Sequence, residues 1–211
     1  MDIILLTWEF PPRIIGQISR DAEEAATELA KRGHRVDVVT FHDHLVGMEQ
    51  RAEGLRVHRV SNPVRSQVNI VTWGLALNTE LQRVAADVIL ETQSETKLVH
   101  AFEWLCVPAA IQLKKALRVP YLLSVYSLES ERSPGGELSG AISYFERIGC
   151  EEASKIIVKS KTRAELLQKL YSVPQENIKV LDVAGRWFDD LLEQYRIALA
   201  NVVSKPQLQK E

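Results

Sequence analysis

The amino-acid sequence predicts an α/β fold in which a mostly parallel sheet carries helices on both faces. Short apolar runs alternate with amphipathic stretches along most of the chain, which is the pattern of successive strand–helix units. The length of 211 residues suits one domain with a sizeable core and leaves little room for two. The 45% share of hydrophobic residues and the 26% share of charged residues are ordinary for a soluble globular domain.

Seven short apolar runs predict the strands of this sheet. They lie at about residues 2–7, 34–40, 55–60, 97–101, 120–126, 155–159 and 178–182. Between the first two runs, Ala22, Ala25, Ala26 and Leu29 recur at helical spacing, and Gly33 follows as the expected C-terminal stop. Further helices are predicted at about 67–93, 105–117, 138–153 and 161–170.

Two loops combine proline and glycine at the ends of predicted strands. Residues 9–16 contain Pro11 and Pro12 directly after the first strand, and residues 129–140 contain Pro134 and three glycines after the fifth. In an open parallel sheet, ligands bind in the crevice beyond the carboxyl ends of the strands. The sequence therefore predicts that a binding site lies at these two loops.

The C-terminal stretch predicts one more helix. Its apolar stripe is formed by Phe188, Leu191, Leu192, Tyr195 and Leu199. Two aspartates in the first turn suit the positive end of the helix dipole. The polar tail beyond the helix contains a proline and is expected to fray.

Charge and cysteine content exclude several classes of function. With 26 Lys and Arg against 28 Asp and Glu, the net charge of −2 gives no support to nucleic-acid binding, and no basic run stands out. The first apolar run, Ile3–Leu6, is too short for a membrane span and lacks the basic flank of a secretory signal. Cys106 and Cys150 form no metal-ligand motif, so we expect two reduced, buried thiols in a cytoplasmic protein.

Three segments, in the same order, carry a family resemblance. They are Leu6–Gly16, which reads LTWEFPPRIIG, Leu29–Val36, which reads LAKRGHRV, and Leu98–Ala110, which reads LVHAFEWLCVPAA. The chain therefore resembles the N-terminal domain of the glycogen and starch synthase branch of the retaining GT-B glycosyltransferases. The resemblance is collinear over about residues 1–182.

This resemblance implies a fold and a division of roles. In the family, two Rossmann-like domains face each other, and the N-terminal one holds the sugar acceptor while the C-terminal one holds the nucleotide-sugar donor. The chain resembles only the first, so we expect one Rossmann-like domain over 1–182. Residues 183–203 resemble the family's last helix, which packs back on that domain, and 204–211 would form a frayed tail.

The first loop of the family carries paired glycines, which let the backbone approach the donor phosphates. In this chain the pair reads Gly16 and Gln17. A side chain at the second position should crowd a diphosphate, whereas Gln17 could still donate hydrogen bonds to a different ligand. The alternative is that the loop is only a strand-to-helix connection.

The family's His-x-His-Asp-Trp motif is partly kept, as His100-Ala101-Phe102-Glu103-Trp104. Glu103 is one methylene longer than the family's aspartate and is the candidate contact to sugar hydroxyls. Trp104 is either a sugar platform or core packing. His100 is either a ligand or a satisfied structural histidine.

Three more candidates follow the fifth predicted strand. Tyr126 stands where the family has a histidine beside the transferred sugar, and a phenol that is neutral near pH 7 cannot copy the roles of an imidazole. Glu129 and Arg132 resemble a Glu and an Arg that archaeal-type members carry in this loop. They either bind a polar ligand or pair at the surface for little energy.

These departures from the family lead to the hypothesis of a non-catalytic binding or regulatory module. We expect no catalytic residue, metal or cofactor in the isolated chain. The expected partners are an α-glucan or sugar ligand, a donor-domain or glycosyltransferase partner, and a second copy of the chain, but not nucleic acid or a membrane.

Two other hypotheses stay open. The chain could be the acceptor-binding half of a split glucosyltransferase that a separate donor domain completes in trans. It could also be an unrelated Rossmann-type enzyme that rebuilt its site from Glu103, Tyr126, Glu129 and Arg132.

Overall fold

The computed structural model of the chain describes residues 1–66, 68–181 and 187–203. Its strands are β1 Asp2–Thr7, β2 Arg35–Phe41, β3 Gly47–Ala52, β4 Leu55–Val60, β5 Lys97–Phe102, β6 Tyr121–Ser124, β7 Lys155–Val158 and β8 Ile178–Val180. Within the described residues, these strands form one sheet in the order β3-β4-β2-β1-β5-β6-β7-β8.

Every neighbouring pair in the sheet is parallel except β3 and β4, which are antiparallel. The register is continuous at the centre, where Leu5 of β1 lies between Val38 of β2 and His100 of β5. This arrangement confirms the predicted mostly parallel α/β sheet. The sequence missed β3 because all of its residues are exposed and lack apolar alternation.

Helices in the described residues cover both faces of the sheet. They are α1 Gln17–Lys31, α2 Ile70–Glu91, α3 Val107–Leu117, α4 Glu129–Arg132, α5 Ser139–Glu152, α6 Lys161–Tyr171 and α7 Trp187–Val203. Short 3₁₀ turns cover Trp104–Cys106 and Gln175–Asn177.

The short helix α4 corrects the prediction of an uninterrupted loop over 129–140. Glu131 accepts a hydrogen bond from the N–H of Leu128 at 2.8 Å, which closes the first turn of this helix. The loop was predicted from proline and glycine residues, and these begin only at Pro134. The predicted strand end at Asp182, the linker 183–186 and the tail 204–211 lie outside the described residues.

The sheet buries an apolar core on each face. Alternate residues of β1 divide between them, because successive side chains of a strand point to opposite faces. Ile4 and Leu6 join the core under α2, α3, α5 and α6, whereas Ile3 and Leu5 join the core under α1 and α7. The predicted helical cover on both faces is therefore present.

The C-terminal helix α7 packs on the second face through its apolar stripe. Phe188, Leu191, Leu192 and Tyr195 are buried there. At the first turn of α7, Arg32 from the end of α1 lies 4.2 Å from the ring of Phe188. This position puts α7 over the central strands, next to the edge where the site residues lie.

Candidate functional site

The carboxyl ends of β1, β5 and β6 lie at one edge of the sheet, and the loops that leave them carry most of the predicted site residues. Gly16 and Gln17 follow β1, Glu103 follows β5, and Tyr126 follows β6. Glu129 and Arg132 lie just beyond, in α4. The structure thus brings six of the eight predicted residues to this edge, and the other two, His100 and Trp104, lie in the interior.

The loop after β1 is closed by the carboxylate of Glu9, which is only 1% exposed. Its Oε2 accepts hydrogen bonds from the backbone N–H of Ile15 at 2.7 Å and of Gly16 at 2.9 Å. Gln17 begins α1, and its side-chain amide donates to Asp21 at 2.9 Å. Two backbone N–H groups beside the position of the family's glycine pair are therefore bound to an internal carboxylate.

Glu103 holds the loop after β6 in the same way. It follows β5 directly with φ at 69°, and its side chain is buried. Oε1 accepts hydrogen bonds from the N–H of Tyr126 at 2.5 Å and of Ser127 at 2.9 Å. A positive φ of this kind costs a glutamate about 1–3 kcal/mol, so the surrounding contacts must offset that strain. The carboxylate is turned into the protein, and its contact with a sugar remains a prediction.

Arg132 lies among three buried glutamates, and we call the four residues the carboxylate cluster. Its guanidinium lies 2.7 Å from Glu146, 3.3 Å from Glu129 and 3.6 Å from Glu103. It also donates to the hydroxyl of Ser127 at 2.7 Å. Glu129 and Arg132 therefore do pair, but the carboxylate of Glu129 is buried while Arg132 reaches the surface.

Glu146 is the member of the cluster that the sequence reasoning missed. It lies on α5 in line with Ile142 and Cys150, which are one turn away on either side and buried. Glu146 could have been predicted from the sequence, because a carboxylate within the apolar stripe of a helix is unusual. Helix α5 can pack closely against α3 because Gly149 has no Cβ, which would lie only 2.6 Å from Val107.

The carboxylate cluster contains three acids and one cation. Burial shifts the pKa of two of these acids. Burial raises the pKa of Glu103 to about 7, although the N–H of Tyr126 and the charge of Arg132 act in the opposite direction. Burial also raises the pKa of Glu146, and the hydroxyl of Tyr171, which donates to it at 2.6 Å, partly counteracts that rise. Near neutral pH the Glu103 side chain therefore exists in both protonated and ionised forms.

His100 is buried beneath the site edge, with both ring nitrogens in hydrogen bonds. Nδ1 lies 2.7 Å from the hydroxyl of Tyr195 on α7, and Nε2 lies 2.8 Å from the hydroxyl of Ser124. Burial lowers the pKa of His100 to about 3, so the imidazole is neutral. Trp104 is buried in the core, where its ring stacks on Phe145 with centroids 6.3 Å apart.

Tyr126 lines a cavity of about 130 Å³ between α1, the sheet and α7. Gln17 and His100 also line it, so three predicted site residues meet there. Lys159 pairs with Asp21 on its wall and lies 5.5 Å from the centroid of the Tyr126 ring. Burial raises the pKa of Tyr126 well above its ordinary value, which keeps the phenol neutral.

Three further properties bear on the chemistry available. Among the described residues, no group of three His, Cys, Asp or Glu side chains is arranged to hold a metal ion. No helix in the described part of the chain is long and apolar enough to cross a membrane. Cys106 and Cys150 are buried, as predicted.

Comparison with known proteins identifies relatives along most of the chain. A family model described as a glycosyl transferase 4-like domain matches residues 16–184. An uncharacterized glycosyltransferase from Methanocaldococcus jannaschii is 29% identical over 183 residues, which is 86% of this chain and 45% of the relative. A glycogen synthase from Mycobacterium tuberculosis is 26% identical over 205 residues, which is 89% of this chain and 50% of the relative. The chain thus spans about half the length of the curated relatives it matches.

Solved structures share the fold at low sequence identity. Sucrose-phosphate synthase from Thermosynechococcus elongatus aligns with a TM-score of 0.69 and 16% identity, over 86% of this chain and 47% of that chain. A second structure of that enzyme, whose name carries the segment numbers 27–220 and 406–426, aligns with a TM-score of 0.69 and 14% identity, over 95% of this chain and 99% of that chain. Anabaena HepE in complex with UDP and glucose aligns with a TM-score of 0.57 and 15% identity, over 86% of this chain and 44% of that chain.

Proposed function

The chain belongs to the glycosyl transferase 4-like domain family, and from this premise we propose that it is a non-catalytic binding or regulatory module. It is a glycogen synthase-like domain by sequence. We assign the Rossmann-like domain to residues 1–182, and to residues 183–203 the segment that contains α7 and returns to that domain. In this proposal the module binds a sugar or an α-glucan, or a glycosyltransferase partner, and performs no transfer alone.

The position of α7 is the observation that carries the proposal. By the family resemblance, a donor-binding domain would stand between the last strand and the returning helix. In this chain six residues separate the end of β8 at Val180 from the start of α7 at Trp187. Six residues cannot hold a donor-binding domain, and donor binding is half of what the reaction requires.

The structural neighbour with two segments supports the same assignment at the level of fold. The chain covers 99% of the sucrose-phosphate synthase structure that is named for residues 27–220 and 406–426. Those numbers join an early stretch of that enzyme to a late one. The fold of this chain therefore matches two stretches of one enzyme that are far apart in its sequence.

The side chains at the site edge also support a non-catalytic role. Glycosyl transfer needs groups that are free to stabilise charge as it develops in the transition state. Glu9 and Glu103 instead use their carboxylates to bind backbone N–H groups of their own loops. His100 is likewise engaged through both ring nitrogens.

A transfer assay with the purified chain tests this proposal. We expect no glucosyl transfer from ADP-glucose or UDP-glucose to maltoheptaose, together with saturable binding of maltoheptaose in a calorimetric titration. A complete glycogen synthase serves as the positive control of the assay. Transfer by the chain alone that the E103Q variant reduces would overturn the proposal, because it would identify a catalytic site at this edge.

A second candidate function is the acceptor-binding half of a split glucosyltransferase. Exposed apolar side chains beside the site favour it: Ile14 and Ile15, in the loop after β1, are 53% and 58% exposed. A separate donor domain that completed the cleft would cover this loop. Apolar area of this kind is more common in protein interfaces than on free surfaces.

Co-purification with candidate donor-domain proteins tests the second candidate. We expect a stable complex with transfer activity that neither component has alone, and the double variant Ile14→Ser, Ile15→Ser should lose both. Leu90→Ser is the matched control, since Leu90 is a similarly exposed apolar side chain on α2. Retention of the complex by the double variant would argue against this interface.

A further inference from the structure

A second, larger cavity of about 510 Å³ opens at the carboxyl ends of β2 and β4. Its lining includes no member of the carboxylate cluster. The polar side chains that bear on its chemistry are Arg13, Asp43, His44, Ser61 and Arg65. We call it the arginine cavity, and its volume lies within the range of small-molecule sites.

Arg13 is held in place but is poorly neutralised. Its guanidinium lies 4.9 Å from the ring centroid of Phe41 and 5.3 Å from that of Trp8, so two aromatic faces fix its plane. Its hydrogen-bonding partner among the described side chains is Asp43, which is 56% exposed and lies 3.3 Å from Nε. Nη1 is buried and has no hydrogen-bond partner within the described part of the chain.

The backbone that carries Arg13 is also fixed. The N–H of Arg13 donates to the carbonyl of Phe10 at 3.0 Å, and the hydroxyl of Ser19 donates to the carbonyl of Arg13 at 3.2 Å. Arg59 of β4 donates to the carbonyl of Pro11 at 3.0 Å and so ties the loop to the sheet. A cation fixed in this way loses little conformational entropy when it binds a ligand.

Arg65 adds a second guanidinium to the lining, from a loop that hydrogen bonds in the interior hold in place. The buried amide of Asn62 donates to the carbonyl of Trp73 at 2.8 Å and accepts from the N–H of Val64 at 2.8 Å. This fixes the backbone from which Ser61 and Arg65 line the cavity. Arg65 forms no ion pair with any carboxylate of the described residues.

The charges of the arginine cavity match an oxyanion. The described lining contains two guanidinium groups and one hydroxyl, and Asp43 is its sole acidic side chain. Guanidinium groups bind phosphate oxygens through paired N–H donors, with a geometry that ammonium groups cannot copy. The volume also exceeds what a phosphate group alone would fill.

We propose that the arginine cavity binds the phosphate group of a small phosphorylated sugar. Arg13 and Arg65 contact the phosphate oxygens, and the sugar ring occupies the remaining volume beside Ser61 and His44. The phosphate part follows from the charges of the cavity alone, whereas the sugar part rests on the proposed carbohydrate-binding function.

Calorimetric titration with three probes tests each part of this proposal. Glucose 6-phosphate should bind more tightly than inorganic phosphate, glucose alone should not bind measurably at this cavity, and added salt should weaken both phosphate probes. Arg13→Gln should weaken glucose 6-phosphate binding by about tenfold or more, and Arg65→Gln by about three- to tenfold. The second variant keeps the test valid if Arg13→Gln fails to fold, because Arg65 is exposed.

Arg83→Gln is the control for a general loss of positive charge. Arg83 is an exposed arginine on α2 that pairs with Glu80 and Asp87, so its replacement should leave binding unchanged. The phosphate site is overturned if neither phosphate probe binds at millimolar concentration, or if all three variants weaken binding equally. Equal affinity for inorganic phosphate and glucose 6-phosphate would overturn the sugar part. Maltoheptaose binding in the separate assay tests the proposed function independently of these outcomes.

Discussion

Two buried glutamates close neighbouring loops by the same device, but their surroundings differ. Glu9 and Glu103 each accept two consecutive backbone N–H groups from the loop that they close. In the described part of the chain Glu9 forms no ion pair, whereas Glu103 faces Arg132 together with two further carboxylates. Glu9 thus holds its loop through hydrogen bonds alone, whereas Glu103 does so within a crowded set of charges.

The difference indicates that closing a loop does not require the carboxylate cluster. The carboxylate of Glu9 accepts its two backbone hydrogen bonds with no ion pair of its own in the described part of the chain. The additional acids around Arg132 make the other loop sensitive to the loss of one cation and to pH. Variants that alter charge should therefore affect the two loops unequally.

Replacement of Arg132 by Met should have the largest effect, because it leaves three buried carboxylates without their cation. We expect the free energy of unfolding at pH 8 to fall by about 3 kcal/mol. The loss should be smaller at pH 5, where protonation of Glu103 and Glu146 relieves their repulsion. Urea denaturation followed by circular dichroism measures both values.

Arg147→Met is the matched control for the Arg132 variant. Arg147 forms an exposed pair with Glu151 one turn away on α5, and such pairs contribute less than about 0.5 kcal/mol. A loss from Arg132→Met no larger than that of the control would mean that the cluster does not depend on its cation.

The next largest effect should be on the pH dependence of stability, through the titration of Glu103. The pKa of Glu103 is about 7 in the folded chain, against 4.5 for an unperturbed glutamate, so the folded state binds more protons between these values. The contribution of this group to stability is therefore present at low pH and is lost as pH rises from about 4.5 to 7. Between pH 5 and pH 8 the wild type should lose about 2–3 kcal/mol relative to Glu103→Gln, which cannot titrate.

The comparison with Glu103→Gln isolates this group from others that titrate in the same range. His100, with a pKa of about 3, makes stability rise with pH up to about 6.5, but it does so equally in both proteins. Glu151→Gln, which removes an exposed carboxylate from α5, controls for the loss of one negative charge. If the free energy of unfolding changed with pH in the same way in the wild type and in Glu103→Gln, that result would contradict the raised pKa of Glu103.

Glu9→Ala should have a smaller effect, because the N–H groups that it releases belong to exposed residues and can reach water. We expect a loss of about 1 kcal/mol in the free energy of unfolding. Hydrogen exchange should become faster at the amides of Ile15 and Gly16, which NMR can follow residue by residue. Glu103→Ala should leave those two amides protected, and equal acceleration in both variants would mean that the loops are not independent.

Sequence patterns predicted the fold well where apolar periodicity reaches the interior. The runs that became β1, β4 and β7 are buried strands, and the C-terminal stripe became α7. The failures have one cause: β3 is an exposed edge strand and α4 a single turn, so neither buries enough apolar surface to leave a pattern.

The candidate site was less predictable because its side chains act across distant parts of the chain. The family resemblance predicts Glu103 and Arg132 as site residues. Residue type alone does not reveal that Glu103 accepts a hydrogen bond from the loop after β6. Glu146 lies outside the motifs of the resemblance. The role of Glu9 depends on a turn that brings residues six and seven positions later back to its carboxylate.

Gln17→Gly restores the glycine pair of the family's first loop and should have the smallest effect. Gln17 is an exposed side chain at the first position of α1, so its loss should lower the free energy of unfolding by only about 0.5–1 kcal/mol. ADP-glucose binding should not appear in calorimetry, because the N–H groups of Ile15 and Gly16 remain bound to Glu9. Gln17→Ala is the control, since it removes the hydrogen bond to Asp21 without adding backbone freedom. If Gln17→Gly alone bound ADP-glucose, the side chain of Gln17 and not the carboxylate of Glu9 would be what closes this loop to a phosphate.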